Sequence, residues 1–237
     1  MSTLSPVPLL LLPGLLTDAR MWQPQVDGLA GSAECRIADF SRANSIATMA
    51  DAALADAPEG CFALAGFSMG GYIALEIMRR APERVLALAL LDTSARPDTP
   101  EGREGRKKVM ARAETDYIGV VNDLLPKFIL PARLKEVALV ESFMAMARDL
   151  GKDVFIRQQQ AIMDREDSRP LLDAIRCPTL VLCGRDDTIT PPEVHEEMVS
   201  AIRGARLVIV EECAHLSTLG QPPHVTSAMQ TWLMGVG

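Results

Sequence analysis

Residues 61–78 read Cys61-Phe62-Ala63-Leu64-Ala65-Gly66-Phe67-Ser68-Met69-Gly70-Gly71-Tyr72-Ile73-Ala74-Leu75-Glu76-Ile77-Met78. The first five residues form an apolar run of strand length, and Gly71 onward reads as a helix. Between them stands a G-x-S-x-G element, Gly66 to Gly70. A serine on a sharp strand-to-helix turn is lifted out of the sheet, with its Oγ exposed and a helix N-terminus behind it. Strand and helix backbones approach closely on both sides of such a serine. Glycine fits at positions 66 and 70, where a larger side chain clashes. The five letters alone are a weak signal; the buried strand before them and the helix after them give it force.

A serine hydroxyl is a poor nucleophile. It needs a base, normally histidine, and a carboxylate that holds the histidine in one tautomer. The chain has three histidines. His215 follows the apolar run Leu207-Val208-Ile209-Val210 and so sits in a loop at a strand's C-terminal end, where open parallel sheets carry their sites. His195 lies among Glu193, Glu196 and Glu197 at an acidic helix start and reads as a solvated surface residue. His224 follows Pro222-Pro223 and reads as surface or capping. His215 is therefore the expected base. For the acid, chemistry leaves three aspartates open. Asp186 and Asp187 follow the strand Thr179–Gly184, and Asp92 closes the strand Val85–Leu91. Each also suits a loop position capping the next helix.

Four segments together resemble the α/β-hydrolase superfamily: the turn around Ser68, the stretch Gly184 to Pro191 with its G-x-x-D-x-x-x-P pattern, the histidine loop at His215, and Leu11-Leu12-Pro13-Gly14-Leu15-Leu16. The order Ser68, Asp187, His215 is also that family's order. In its G-x-x-D pattern the acid is the fourth residue, which here is Asp187. Asp92 matches the strand end that carries the acid in a minority of members. The resemblance spans both ends of the chain and fades between about residues 95 and 170. It implies an oxyanion hole built from the backbone N–H groups of Met69 and Leu15. The chain departs from the family at Pro13, where many members carry a histidine whose side chain braces the loop.

The apolar stretch Val7 to Leu16 does not read as a secretory signal, because the first basic residue, Arg20, comes after it. Pro13-Gly14 breaks the run, which is too short to span a bilayer. A buried strand followed by the oxyanion loop, in a cytoplasmic protein, is the expectation. Five cysteines (Cys35, Cys61, Cys177, Cys183 and Cys213) show no C-x-x-C spacing and predict neither a zinc site nor a redox pair. They read as small buried hydrophobes in a reducing compartment. Cys213, two residues before His215, reads as packing or as a bystander thiol. A net charge of −7 gives no sign of a basic stripe of nucleic-acid-binding strength. The charge is uneven: all five lysines fall within residues 95–170, whose net is +1 against −8 for the rest.

Strands are expected near 7–12, 34–38, 61–66, 85–91, 179–183 and 206–210, with helices near 46–56, 70–80, 192–202 and 223–234. This alternation predicts a mostly parallel sheet with right-handed crossovers. The family usually begins with two further strands, so six are expected here. Residues 95–170 lack strand signals and read as helices near 101–114, 117–129, 132–149 and 152–164. By position they form a helical cap inserted in an α/β core made of residues 1–94 and 171–237. Apolar cap residues such as Leu124, Phe128, Met144, Met146 and Met163 either pack the cap or line the pocket mouth. The basic run Gly102-Arg103-Glu104-Gly105-Arg106-Lys107-Lys108 reads as a solvated helix face or as a greeting for an acidic substrate, a carrier protein or a coenzyme A tail.

The expected activity is a serine hydrolase acting on a small or medium carboxylic ester, lactone or thioester, with no cofactor and no metal. Among family members, the small-capped group with enol-lactonases and carrier-protein methyl esterases is the nearest in flavour. The same residues serve acyltransferases, perhydrolases, carbon–carbon hydrolases and triad-dependent lyases. A ligand-binding module has less need for all three groups. Expected partners are a small-molecule acyl substrate, free or on acyl carrier protein or coenzyme A, with neither nucleic acid nor membrane. An apolar edge or cap face leaves room for a homodimer.

Overall fold

The computed structural model describes residues 5–236; Met1–Leu4 and Gly237, the extreme ends of the expected core ranges, lie outside it. Among the described residues six strands form one sheet: β1 (Val7–Leu12), β2 (Ala33–Ile37), β3 (Phe62–Phe67), β4 (Val85–Leu91), β5 (Thr179–Gly184) and β6 (Arg206–Val210), in the order β2-β1-β3-β4-β5-β6. All five pairings are parallel. Parallel strands covered on both faces are near-continuously apolar. Leu9–Leu12 and Phe62–Phe67 are accordingly buried throughout, whereas the edge strands β2 and β6 are only partly buried. The crossover helices are α1 (Gln23–Gly28), α2 (Ile46–Asp56), α3 (Met69–Arg80) and α6 (Pro192–Ala201), and a single turn, α7 (Ser217–Gly220), precedes the closing α8 (Pro222–Leu233). Helix α2 packs with α3, and α1 with α8.

The chain passes from β1 outward to β2, then returns to place β3 on the other side of β1. Beside β1 the order therefore reverses, and a crevice opens at the carboxyl ends of the strands. Ser68 follows β3 there.

Between β4 and β5 the chain inserts two long helical segments, α4 (Pro100–Phe128) and α5 (Val137–Met163), which pack on each other. A backbone bond from Ser168 N–H to Ala95 O, 2.9 Å, closes the base of the insertion. Each segment is broken once. Asp116 leaves helical geometry (φ −143°, ψ 60°), and its Oδ1 accepts the Gly119 N–H at 3.0 Å, so it caps the second half of α4. Gly151 breaks α5 at φ 76°, a conformation that favours glycine. Four helices thus appear, as the sequence predicts, but the third begins at Val137, after a short helical turn at Pro131–Arg133. Among the described residues no helix is long and apolar enough to cross a membrane.

Candidate active site

Ser68 stands alone between β3 and α3 at φ 52° and ψ −114°. A non-glycine residue held there costs of order 1–3 kcal/mol, and the surroundings must enforce it. A Cβ on Gly66 would lie 2.3 Å from Gly70 O, and one on Gly70 would lie 2.2 Å from Leu12 O, so neither position admits a side chain. The Ser68 N–H donates to Leu91 O at 2.9 Å, and Thr93 Oγ1 donates to Ser68 O at 2.8 Å. The turn is therefore tied to the end of β4.

His215 and Asp187 meet this serine from two other loops. Ser68 Oγ lies 2.8 Å from His215 Nε2, and His215 Nδ1 lies 2.7 Å from Asp187 Oδ2. Gly184 lets the loops carrying acid and histidine touch, since a Cβ there would lie 2.3 Å from Cys213 O. Asp187 Oδ1 accepts the N–H groups of Ile189 (2.8 Å) and Thr190 (3.0 Å), and Oδ2 accepts Thr190 Oγ1 at 2.7 Å. Burial alone would push this carboxyl up. The His215 ring beside it and the hydrogen bonds from His215 and Thr190 outweigh burial and hold it below the usual carboxylate range. Phe67 and Phe128 pack on the imidazole, with ring centroids at 5.3 and 5.2 Å.

The other two aspartates take different places. Asp186 is exposed. Asp92 is fully buried, accepts the Gly184 N–H at 3.0 Å and the Ser217 hydroxyl, and makes no hydrogen bond to His215. Burial, reinforced by the charge of Asp187, raises the Asp92 carboxyl well above its ordinary value. Asp92 thus pins together the end of β4, the end of β5 and the loop after His215.

His195 is not on the surface, contrary to the sequence expectation. It is fully buried; its Nε2 accepts the Thr93 N–H at 3.0 Å, and its Nδ1 lies 3.2 Å from Pro191 O. This pattern requires the neutral ring protonated at Nδ1. Burial lowers its pKa to about 4. The ring joins the end of the acid loop, at Pro191, to Thr93, which in turn holds the Ser68 carbonyl. The acidic neighbours in sequence hid this role; the spacing His195, Met198, Ile202 marks the inward stripe of α6, and all three are buried.

Leu15 lines the cavity over Ser68. Met69 N–H is the first of α3 and has no intrahelical acceptor. The loop after β1 carries Leu16 at φ 63°. It is held by Gly14 N–H donating to Thr17 Oγ1 (2.9 Å) and by Leu16 N–H donating to Gln158 Oε1 (3.3 Å). Gln158, buried in α5, braces the loop in place of the side chain missing at Pro13. No sequence signal marks it, because its partner is 142 residues away.

The cavity over Ser68 has a volume of about 220 Å³. Leu124, Phe128, Ile162 and Ile189 form apolar wall, and Arg106, Lys127 and Gln159 bring polar groups to it. Met144, Met146 and Met163 are buried but do not line it, so these methionines are packing residues. Of the basic run, only Arg106 lines the cavity; Arg103 turns toward Met163 O and Asp164, and Lys107 is exposed and pairs with Glu104. A larger groove, about 630 Å³, follows β6 and α8 but includes none of Ser68, Asp187 and His215. The cysteines also depart from expectation: Cys183 and Cys213 are buried, but Cys35 and Cys177 are partly accessible and Cys61 is exposed. Burial pushes the Cys213 thiol up, which disfavours the thiolate.

Comparison with known proteins identifies the family and the fold. A model described as "Alpha/beta hydrolase family" matches residues 9–228. A pimeloyl-[acyl-carrier protein] methyl ester esterase of Neisseria meningitidis serogroup B is 32% identical over 186 residues, covering 75% of this chain and 70% of that protein. A thermophilic esterase from Thermogutta terrifontis, solved with malate bound, superposes with a TM-score of 0.89 at 30% identity, over 99% of this chain and 92% of that one. The enol-lactonase from Burkholderia xenovorans LB400 shares the fold, with a TM-score of 0.85 at 23% identity over 96% of this chain and 92% of that one. With the family model matched over residues 9–228 and the serine elbow at the sheet's crevice, this chain belongs to the alpha/beta hydrolase family.

Proposed function

We propose that this enzyme hydrolyses a small carboxylic ester, lactone or thioester through an acyl-enzyme on Ser68. The observation that carries the reading is the unbroken chain from Ser68 Oγ through His215 to Asp187, at 2.8 and 2.7 Å, beneath a cavity. Ser68 Oγ attacks the carbonyl carbon while His215 Nε2 takes its proton. Asp187 keeps the Nδ1 proton in place and stabilises the imidazolium. The oxyanion of the tetrahedral intermediate accepts the N–H groups of Met69 and Leu15. Collapse breaks the bond to the leaving group, which receives the proton from His215. Water then repeats the sequence on the acyl-enzyme, returning Ser68 and releasing the acid. Asp92 has no part in this relay and acts as a structural tie.

Residues 95–170 are the cap of this active site, since α4 and α5 supply cavity wall over Ser68. A methyl ester of an acyl group carried on acyl carrier protein is the substrate that the Neisseria relative's name favours. Five unpaired cysteines suit a reducing, cytoplasmic setting. The test is a panel of methyl esters, lactones and acyl thioesters followed by acid release, with and without competing alcohol or peroxide acceptors. Acid as the product throughout supports hydrolysis. Products formed only with an added acceptor would assign acyl transfer or perhydrolysis instead.

A further inference from the structure

Two cations and no carboxylate side chain line the cavity over Ser68, in a protein whose net charge is −7. Arg106 is largely covered, with 23% of its side chain exposed. Its Nε donates to Asp98 Oδ2 at 2.6 Å, and a terminal nitrogen donates to Gln159 Oε1 at 2.6 Å. That arrangement does not neutralise the site. Asp98 also binds Arg165 at 2.6 Å, so one carboxylate is shared between two guanidinium groups. Arg165 lies over the Tyr72 ring, 4.4 Å from its centroid, and Tyr72 is itself cavity wall. Lys127, from the end of α4, adds a second cation to the lining and makes no ion pair among the described residues. Gln159, only 3% exposed, spends its carbonyl on Arg106 and leaves its amide N–H groups without a partner among the described residues.

Covered donors without an acceptor, as at Gln159 beside the half-buried Arg106, are costly unless a ligand satisfies them, and the exposed Lys127 adds positive charge at the rim. Guanidinium and ammonium groups together are suited to a carboxylate. The rest of the wall is apolar, and a volume near 220 Å³ suits a short chain. We infer that Arg106, Lys127 and the Gln159 amide form an anion subsite that selects acyl substrates bearing a second, free carboxylate, such as half-esters of short dicarboxylic acids. This inference rests on the ester-hydrolase reading. The free carboxylate docks at the cations while the ester carbonyl lies at Ser68. Its binding energy is then used to orient the carbonyl.

The experiment compares monomethyl glutarate with methyl pentanoate, a neutral analogue of similar size, in wild type, Lys127→Gln and Arg106→Gln. The half-ester should be the better substrate by kcat/KM. Lys127→Gln should raise KM for the half-ester by about fivefold, as expected for an exposed cation. Arg106→Gln should raise it by more than about tenfold, as expected for a charge-assisted contact. Each change should cost methyl pentanoate clearly less than it costs the half-ester, and the ratio of the two losses is the readout. Succinate and adipate half-esters then read the span from cations to serine. Equal losses on both esters, or no loss on either, would overturn the subsite while leaving ester hydrolysis standing. Absence of Ser68-dependent turnover on both esters would count against the hydrolase reading instead. Calorimetric titration of glutarate into Ser68→Ala, with and without Lys127→Gln, then tests the subsite independently. Weaker glutarate binding in the double variant supports the subsite, and equal binding refutes it.

Discussion

Replacing His195 with glutamine removes a titrating group while keeping its hydrogen bonds. The glutamine carbonyl can accept from Thr93 N–H and its amide can donate to Pro191 O, the two partners of the imidazole. In the folded protein the ring has a pKa of about 4, against 6.5 for a free imidazole. The unfolded chain therefore binds the proton first. The neutral ring's contribution is fully present above about pH 6.5, declines as the pH falls towards about 4, and is lost below that. At about 1.4 kcal/mol per pKa unit, this gap makes the wild type lose about 3 kcal/mol through acidification at this one residue. Asp187 and His215 are the charged and titratable groups that act on the ring, and both remain in the variant. Urea denaturation of both proteins from about pH 7 to about pH 4 therefore isolates the effect as a difference of two profiles. His195→Gln should acquire a relative advantage of about 3 kcal/mol at the acid end. Parallel profiles would refute the claim that His195 is a buried, neutral brace between the acid loop and the nucleophile turn.

Three further substitutions separate the roles of the buried aspartates and the loop brace. Asp187→Asn should lower kcat by about 10⁴-fold through loss of the correct tautomer. Asp92→Asn should leave kcat within about tenfold of wild type, because Asp92 bonds to Gly184 N–H and the Ser217 hydroxyl and not to His215; steady-state kinetics check both. Gln158→Leu frees the Leu16 N–H and loosens the loop carrying Leu15, so kcat should fall by about tenfold with KM little changed.

The elbow, the six-stranded parallel sheet and His215 as the base were legible because each rests on local pattern, and Asp187 was legible only through the resemblance. Glycines must flank a strained serine, and apolar runs alternating with helices leave few sheet topologies. What escaped is non-local. Gln158 reaches its partner only after the insertion folds back over the sheet. Arg106 and Lys107 are adjacent in sequence, yet one faces the cavity and the other solvent. The helical spacing Arg106, Val109, Ala113 points the first of them inward, but a net-charge reading of the run averages that face away. His195 was masked in the same way by glutamates on the opposite side of its helix. Asp92 and Asp187 both stand at strand ends. Chemistry alone left both open, and in the structure the path of the His215 loop puts Ser217 on one carboxylate and the ring on the other.

The central claim is that Ser68 is an activated nucleophile. Intact-mass analysis after fluorophosphonate treatment, on wild type and Ser68→Ala, tests it most directly. One adduct per wild-type chain and none on the variant is the predicted result. An unlabelled wild type, folded by circular dichroism, or labelling that persists in Ser68→Ala, would contradict it.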